Sequence, residues 1–384
     1  MILLVAAVKY MLPLATGFDI SQANTFDPIL RPLQGFSLGD FFFSRITSCK
    51  DIEKDTNIIL VNIGEPDRMN IANQLNIISG YRPKVVAVDV IFRNMKDSVS
   101  DRVLAETMSR IPNLVLASEI HAEDFEGEKK YIHSESEDAF SRNGISAHVG
   151  LIKRLDNKAA GFVPVDLSLA TPVYSLPVKI AQIYDSAKAA RLIARGNPSE
   201  LINFKRNLDK YTVFDIDGLK NYSNPEIFRG KIVILGYLGS NLRTNSSGDR
   251  IHTPLNPFYM GNSVPDMYGA VVIANIVSMI LEENYVNTNL VYPEYFHIIF
   301  NVLSLSLFII ALFYFTLRFS AKQAFARFLA FSIVFVLALA IGLALMLCFD
   351  YMLYMHGFIN GLVFSFAVFE AYAFVFRKRL APNE

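Results

Sequence analysis

The last quarter of the chain constrains it most. Residues 292–384 carry only ten charged side chains in 93 positions. Three apolar runs fill this segment. Phe296–Leu317 and Phe328–Phe349 each hold 22 residues without Lys, Arg, Asp or Glu. Tyr351–Phe376 is the third, carrying His356, Asn360 and Glu370. At about 1.5 Å per residue each run reaches across a hydrocarbon core of roughly 30 Å. A helix on a soluble core would show a polar face over such a length. The expectation is an all-α bundle of three transmembrane helices, at 296–317, 328–349 and 351–376. Tyr292, Tyr295, Tyr351 and Tyr354 stand where an aromatic belt sits. Glu370 reads as an interfacial carboxylate, with a coupling or proton role as the alternative.

The loops give the orientation. Arg318, Lys322 and Arg327 lie between the first two runs, and Arg377, Lys378 and Arg379 follow the third. The positive-inside rule places both clusters in the cytoplasm. The first helix then runs inward, so residues 19–291 lie outside. Met1–Phe18 is apolar except for Lys9 and contains Pro13. It reads as an uncleaved anchor, a signal-like segment or a clipped span. Lys9 would be costly at mid-bilayer.

Composition then bounds the outer segment. The chain has 36 Lys/Arg and 36 Asp/Glu; the tail takes six and four, and Lys9 one more. Residues 19–291 therefore hold 29 bases and 32 acids, a net charge of −3. That excludes nucleic-acid binding driven by bulk charge. Cys49 and Cys348 fall in different segments, so no disulfide framework is expected. About 270 residues suffice for a hydrophobic core.

Short β-branched runs alternate with helical spacing. Asn57–Gly64 reads as a buried strand and Arg68–Tyr81 as a helix. Lys84–Phe92 is a second strand, Asp101–Ile111 a second helix and Leu114–Ala117 a third strand. This order argues an α/β domain with a mostly parallel sheet flanked by helices. His121–Asn143 is polar and reads as an exposed excursion. Ile145–Ile152 and Lys231–Tyr237 read as further strands. Val178–Arg195 and Met267–Glu282 read as helices. One extracytoplasmic domain is expected over 19–291.

Open parallel sheets bind ligands beyond the carboxyl ends of their strands. The polar groups expected there are Glu65, Asp67, Arg68 and Asp89, then Asn241, Asp249 and Thr253. Asp89 is the sharpest, because it interrupts an apolar strand. A buried carboxylate must be paired or protonated, so it either binds backbone N–H groups or an Arg, or contacts a ligand. Asp67 could instead cap the helix that starts near Arg68. Gly236, Gly239 and Ser240 follow a strand, but no P-loop pattern is present. The six His lack metal-ligand spacing, and no catalytic signature occurs. No cofactor, metal or nucleic acid is implied, and nothing argues for an enzyme.

These motifs resemble the type-two CHASE domain, an extracytoplasmic sensory domain. The resemblance rests on Asn57–Gly64, Asp67-Arg68, and the strand ending Asp89-x-x-Phe92 followed by Asp101 and Leu104-Ala105. It continues in Gly230–Gly236, Asp249, Thr253-Pro254-Leu255 and Met267–Asn275, with Phe41–Ile46 as a lead-in. It covers about 19–376. It implies ligand contacts from Asn275 besides the residues above, and structural roles for Gly64, Gly236, Gly239, Phe92 and Pro254. It also implies three helices after the domain, and a place in a bacterial inner membrane with the C-terminus cytoplasmic. Ligands of such domains are generally not established. The chain stops eight residues after the third apolar run. The expectation is therefore a sensor that detects a small molecule or envelope protein and relays it to a separate cytoplasmic effector, dimerising by analogy. The alternatives are a structural subunit of an envelope complex and, less favoured, an envelope enzyme.

Overall fold

The structure is a computed structural model. It describes residues 52–64, 67–125, 128–153, 159–222, 224–240, 250–256, 265–288, 306–311, 314, 323–349 and 351–352. The chain divides into two compact units, one spanning Asp40–Val286 and the other including Asn287–Glu384.

The first unit is a mixed α/β sheet flanked by helices. Strand β1 (Ile58–Asn62) leads into helix α1 (Arg68–Gly80), then strand β2 (Val85–Val88) into helix α2 (Ser98–Met108). Strand β3 is Leu114–Phe125, β4 is Glu128–Ser134 and β5 is Ile145–His148. Helices α3 (Leu176–Tyr184) and α4 (Ser186–Ala194) precede β6 (Thr212–Phe214), α5 (Ile216–Asn221), β7 (Ile232–Gly236) and α6 (Gly269–Glu282). The main sheet runs β6-β1-β7-β2-β3, and β3 carries both β4 and β5. All its pairs are parallel except β3–β4.

Continuous apolar strands fit burial on both faces. Ile59, Val61, Val86, Val88, Val233 and Leu235 face a core completed by Ile71, Leu75, Leu104 and Met108. The opposite face, with Ile58, Leu60, Val85, Ala87, Ile232 and Ile234, is fully buried too. Helix α6 packs on β1 and β7, and α3 on β2 and β3. Every residue of α6 from Ala270 to Leu281 is buried. That explains why the helix is apolar all round.

Several boundaries differ from the sequence expectation. The segment 178–195 is two helices, because Asp185 leaves helical geometry (φ −149°, ψ 92°) and caps α4 through Lys188 N. Helical spacing of Ala and Leu continues across this break, so periodicity does not show it. The polar excursion after residue 120 is the outer part of β3 paired with β4. Its side chains are largely exposed, so no apolar alternation marks it.

One buried ion pair holds the loops after β1 and β2. Arg68 donates to Asp101, and its side chain is 5% exposed against 1% for Asp101. The same guanidinium donates to the carbonyls of Arg93 and Asn94. It lies 5.1 Å from the Phe140 ring centroid and 6.0 Å from that of Phe92. Asp101 also accepts from Lys96 N at 2.8 Å. The Asp67, Arg68, Phe92 and Asp101 motif is thus a helix start with its anchor, and Asp67 caps α1 through Met69 N.

In the second unit, helix α7 spans Gln323–Phe349. Its part Phe328–Phe349 is 22 residues long, with a mean hydropathy of 2.8 and 17% of its most apolar window buried. Asn287–Thr288 pairs in parallel with Tyr351–Met352. The third apolar run therefore begins with two extended residues. Met1–Phe18, the remainder of that run, and the first apolar run outside 306–311 and 314 lie outside the described residues.

Removing one partner of a buried ion pair leaves the other charge uncompensated. Asp101→Ala is expected to lower unfolding free energy by about 3–5 kcal/mol. The Arg68→Met/Asp101→Leu double variant should recover most of that loss. Urea unfolding of the full chain in detergent, followed by tyrosine fluorescence, measures both.

Candidate functional site

The carboxyl ends of β1, β7 and β2 lie side by side. Register pairs Asn62 with Gly236, and Leu235 with Val88. The next positions, Gly236 and Asp89, are then neighbours, and Asp89 N donates to Leu235 O at 2.8 Å. Asn62, Gly236 and Asp89 form one row on the face covered by α6.

Asn62 organises this edge. It is 2% exposed. Its Nδ2 donates to Gly239 O at 2.9 Å, and its Oδ1 accepts from Leu238 N at 2.8 Å and Gly64 N at 3.1 Å. Gln74 of α1 donates to Asn62 O at 2.7 Å. One amide thus fixes the loops after two strands. Gly239 has φ 103°, a conformation that side chains resist. Gly64 also turns with positive φ, facing Ser240 O. At Gly236, a Cβ would lie 2.7 Å from Ala270 Cβ. Glycine there lets the first turn of α6 approach the strand end.

Asp89 stands in this recess. Its side chain is half-buried and makes no hydrogen bond or ion pair with any described residue. A Cβ at Gly269, the first residue of α6, would meet Asp89 Oδ2 at 3.5 Å, and one at Gly236 would meet it at 3.6 Å. Burial pushes the carboxyl up to about 6 from 3.8. Among the described residues, no N–H group or Arg is bonded to the Asp89 side chain.

A short hairpin sets the start of α6. Arg250–Ile251 pairs antiparallel with Met267–Tyr268. Thr253 donates from N (2.8 Å) and Oγ1 (2.6 Å) to the Asp266 carboxylate, whose pKa burial raises. Pro254 is buried beside Thr253. Arg250 stacks 4.6 Å from the Tyr268 centroid and donates to its hydroxyl at 3.1 Å.

The other expected contacts are placed as follows. Arg68 is spent in the Asp101 pair, and Phe92 packs beside it. Asp67 caps α1. Asn275 lies in α6, where its Oδ1 accepts from Lys205 N and Arg206 N and its Nδ2 donates to Arg206 O and Val271 O. It clasps the 205–206 segment and has no group left for a ligand. Glu65, Asn241 and Asp249 lie outside the described residues. Sequence reading missed Asn62, Asp266 and Gly269. Asn62 carried the same signal as Asp89, a polar residue at the end of an apolar strand. Among the described residues, no group of three or more His, Cys, Asp or Glu could hold a metal ion.

A second polar centre lies at the opposite end of β1. A cleft of about 200 Å³ is lined by Asp55, Tyr184, Lys188, Arg206, Ser278 and Glu282 among others. Arg206 donates to Glu53 O (3.1 Å) and to Glu282 (2.7 Å). Ser278 of α6 donates to Asp55. These bonds tie the end of α6 to the segment entering β1.

A family model described as the CHASE2 domain matches residues 13–311. Neither the comparison with curated proteins nor that with solved structures returned a match.

The Asp89 shift fixes a pH dependence. The folded state favours the neutral carboxyl, with a pKa of about 6 against 3.8. Between those values the folded chain holds more protons than the unfolded chain. Stability contributed by this group is therefore present at low pH and is lost as pH rises through 6. Asp89→Asn should abolish that slope and stabilise the chain at neutral pH by on the order of 1–3 kcal/mol. The difference between the two chains in chemical unfolding across this range measures it.

Proposed function

The chain belongs to the CHASE2 domain family of extracytoplasmic sensory domains, and on that premise we propose that it is a membrane-anchored sensor reading a ligand at Asp89. The observation that carries this reading is the unpaired carboxylate at the strand ends. Burial disfavours its charged form, and it holds no described residue in place. Such a group is understood as a binding group whose partner comes from outside the chain.

Helix α6 is the proposed relay. It starts against Asp89 and ends at Glu282, where Arg206 and Lys205 hold it. Val286 then bridges to Leu201. A ligand that bears on Gly269 would load a rigid, fully buried rod. The chain continues from there into the second unit, whose helices would pass the change to an effector protein in the cytoplasm.

The proposed topology places Asp40–Val286 outside, three spans after it and the basic clusters inside. The exposed apolar surface of Phe328–Phe349 suits lipid. The pairing of 287–288 with 351–352 supports placing the entry to the first span and the turn after the second on one side. Signalling through spans of this kind is expected to use a dimer.

Cysteine labelling tests this. In a chain with Cys49 and Cys348 replaced by Ser, Ser109→Cys should react with an impermeant maleimide in intact cells. Ser320→Cys should react only after permeabilisation. An Asn287→Cys/Tyr351→Cys pair should form a disulfide under an impermeant oxidant, and Asp89→Asn should change its rate several-fold. Inverted labelling contradicts the topology, and an unchanged rate contradicts the relay.

A further inference from the structure

Resting on the sensor reading above, we propose that the Asp89 recess takes the protonated amino group of a small organic cation. The first ground is unmet charge. The carboxylate faces no described cation and accepts no hydrogen bond from a described residue. A primary ammonium supplies both charge and N–H donors.

The second ground is space. Glycine stands on both sides of the carboxylate, at 236 and 269. A side chain at either position would fill the approach to Oδ2. Asp89 is only partly buried, so the residue is not sealed from solvent.

The third ground is what the surroundings reject. An anion would meet a carboxylate with no compensating base among the described residues. Arg250, on the hairpin before α6, is stacked on Tyr268 and bonded to its hydroxyl. Asp266 on the same hairpin is engaged by Thr253. A divalent metal wants several oxygen ligands, and the described residues offer no cluster of three. A single carboxylate suits an ammonium better.

Binding should also follow the charge of Asp89. The ammonium needs the ionised carboxylate, and burial holds that group near 6. Affinity is therefore expected to be about tenfold weaker at pH 5 than at pH 7.5.

The test uses the full chain in detergent, with n-butylammonium as probe and n-butanol and butyrate as isosteric controls. Thermal unfolding is followed by tyrosine fluorescence. At about 50 mM, n-butylammonium should raise the midpoint by roughly 2–4 °C at neutral pH, and n-butanol should not. Asp89→Asn should lose the shift. Gly269→Ala, which keeps the carboxylate and narrows the approach, should reduce it. No shift in the unsubstituted chain, or an equal shift in Asp89→Asn, overturns the proposal. A shift with butyrate alone, dependent on Asp89, overturns the amine class and leaves the sensor reading standing. Inverted maleimide labelling overturns the sensor reading without touching amine binding.

Discussion

The parallel pairing of Ile232–Gly236 between β1 and β2 is the constraint on which the rest depends. It joins residues 147 to 174 positions apart in sequence (Val85 and Ile58 with Ile232), and such long-range parallel pairing is costly to form. It is held by apolar strands buried on both faces and by the Asn62 amide, which bonds the loops after β1 and β7. Once the three strands align, Asn62, Gly236 and Asp89 fall in one row. Helix α6 can then approach only because position 236 lacks a side chain.

Two carboxylates near this edge show how context divides roles. Asp101 is buried, but it has Arg68 and a backbone N–H, and it anchors a loop. Asp89 is less exposed to water than a surface group, has no partner among the described residues, and is driven towards its neutral form. The first is explained entirely by the fold. The second anchors no described part of the fold, and the proposed ligand is what would complete it. Helix α6 connects that question to the rest of the molecule, since it begins at Asp89 and ends in the Arg206–Glu282 network.

The sequence made the main elements legible for a simple reason. Strands buried on two faces read as apolar runs, and helices on the sheet keep their spacing. The order of strands was not legible, because apolar runs do not name their neighbours. The break at Asp185 was hidden, since the helices on either side share a spacing. The outer half of β3 was hidden because solvent on both faces removes the alternation. At the site, Asp89 was visible as a polar interruption. Asn62 had the same signature and was passed over as part of its strand. Arg68 and Asn275 were read as ligand contacts because residue type does not reveal the partner. Their donors and acceptors are used inside the protein.

The central claim is that Asp89 is an unpaired carboxyl at the strand ends. Carbon-13 NMR titration of the aspartate carboxyls tests it most directly, in the full chain in detergent, with Asp89→Asn assigning the resonance. A pKa of about 6 is the expected result. A pKa at or below the ordinary aspartate value of about 3.9 would mean that a cation or N–H group in the chain already satisfies Asp89, and would contradict the account.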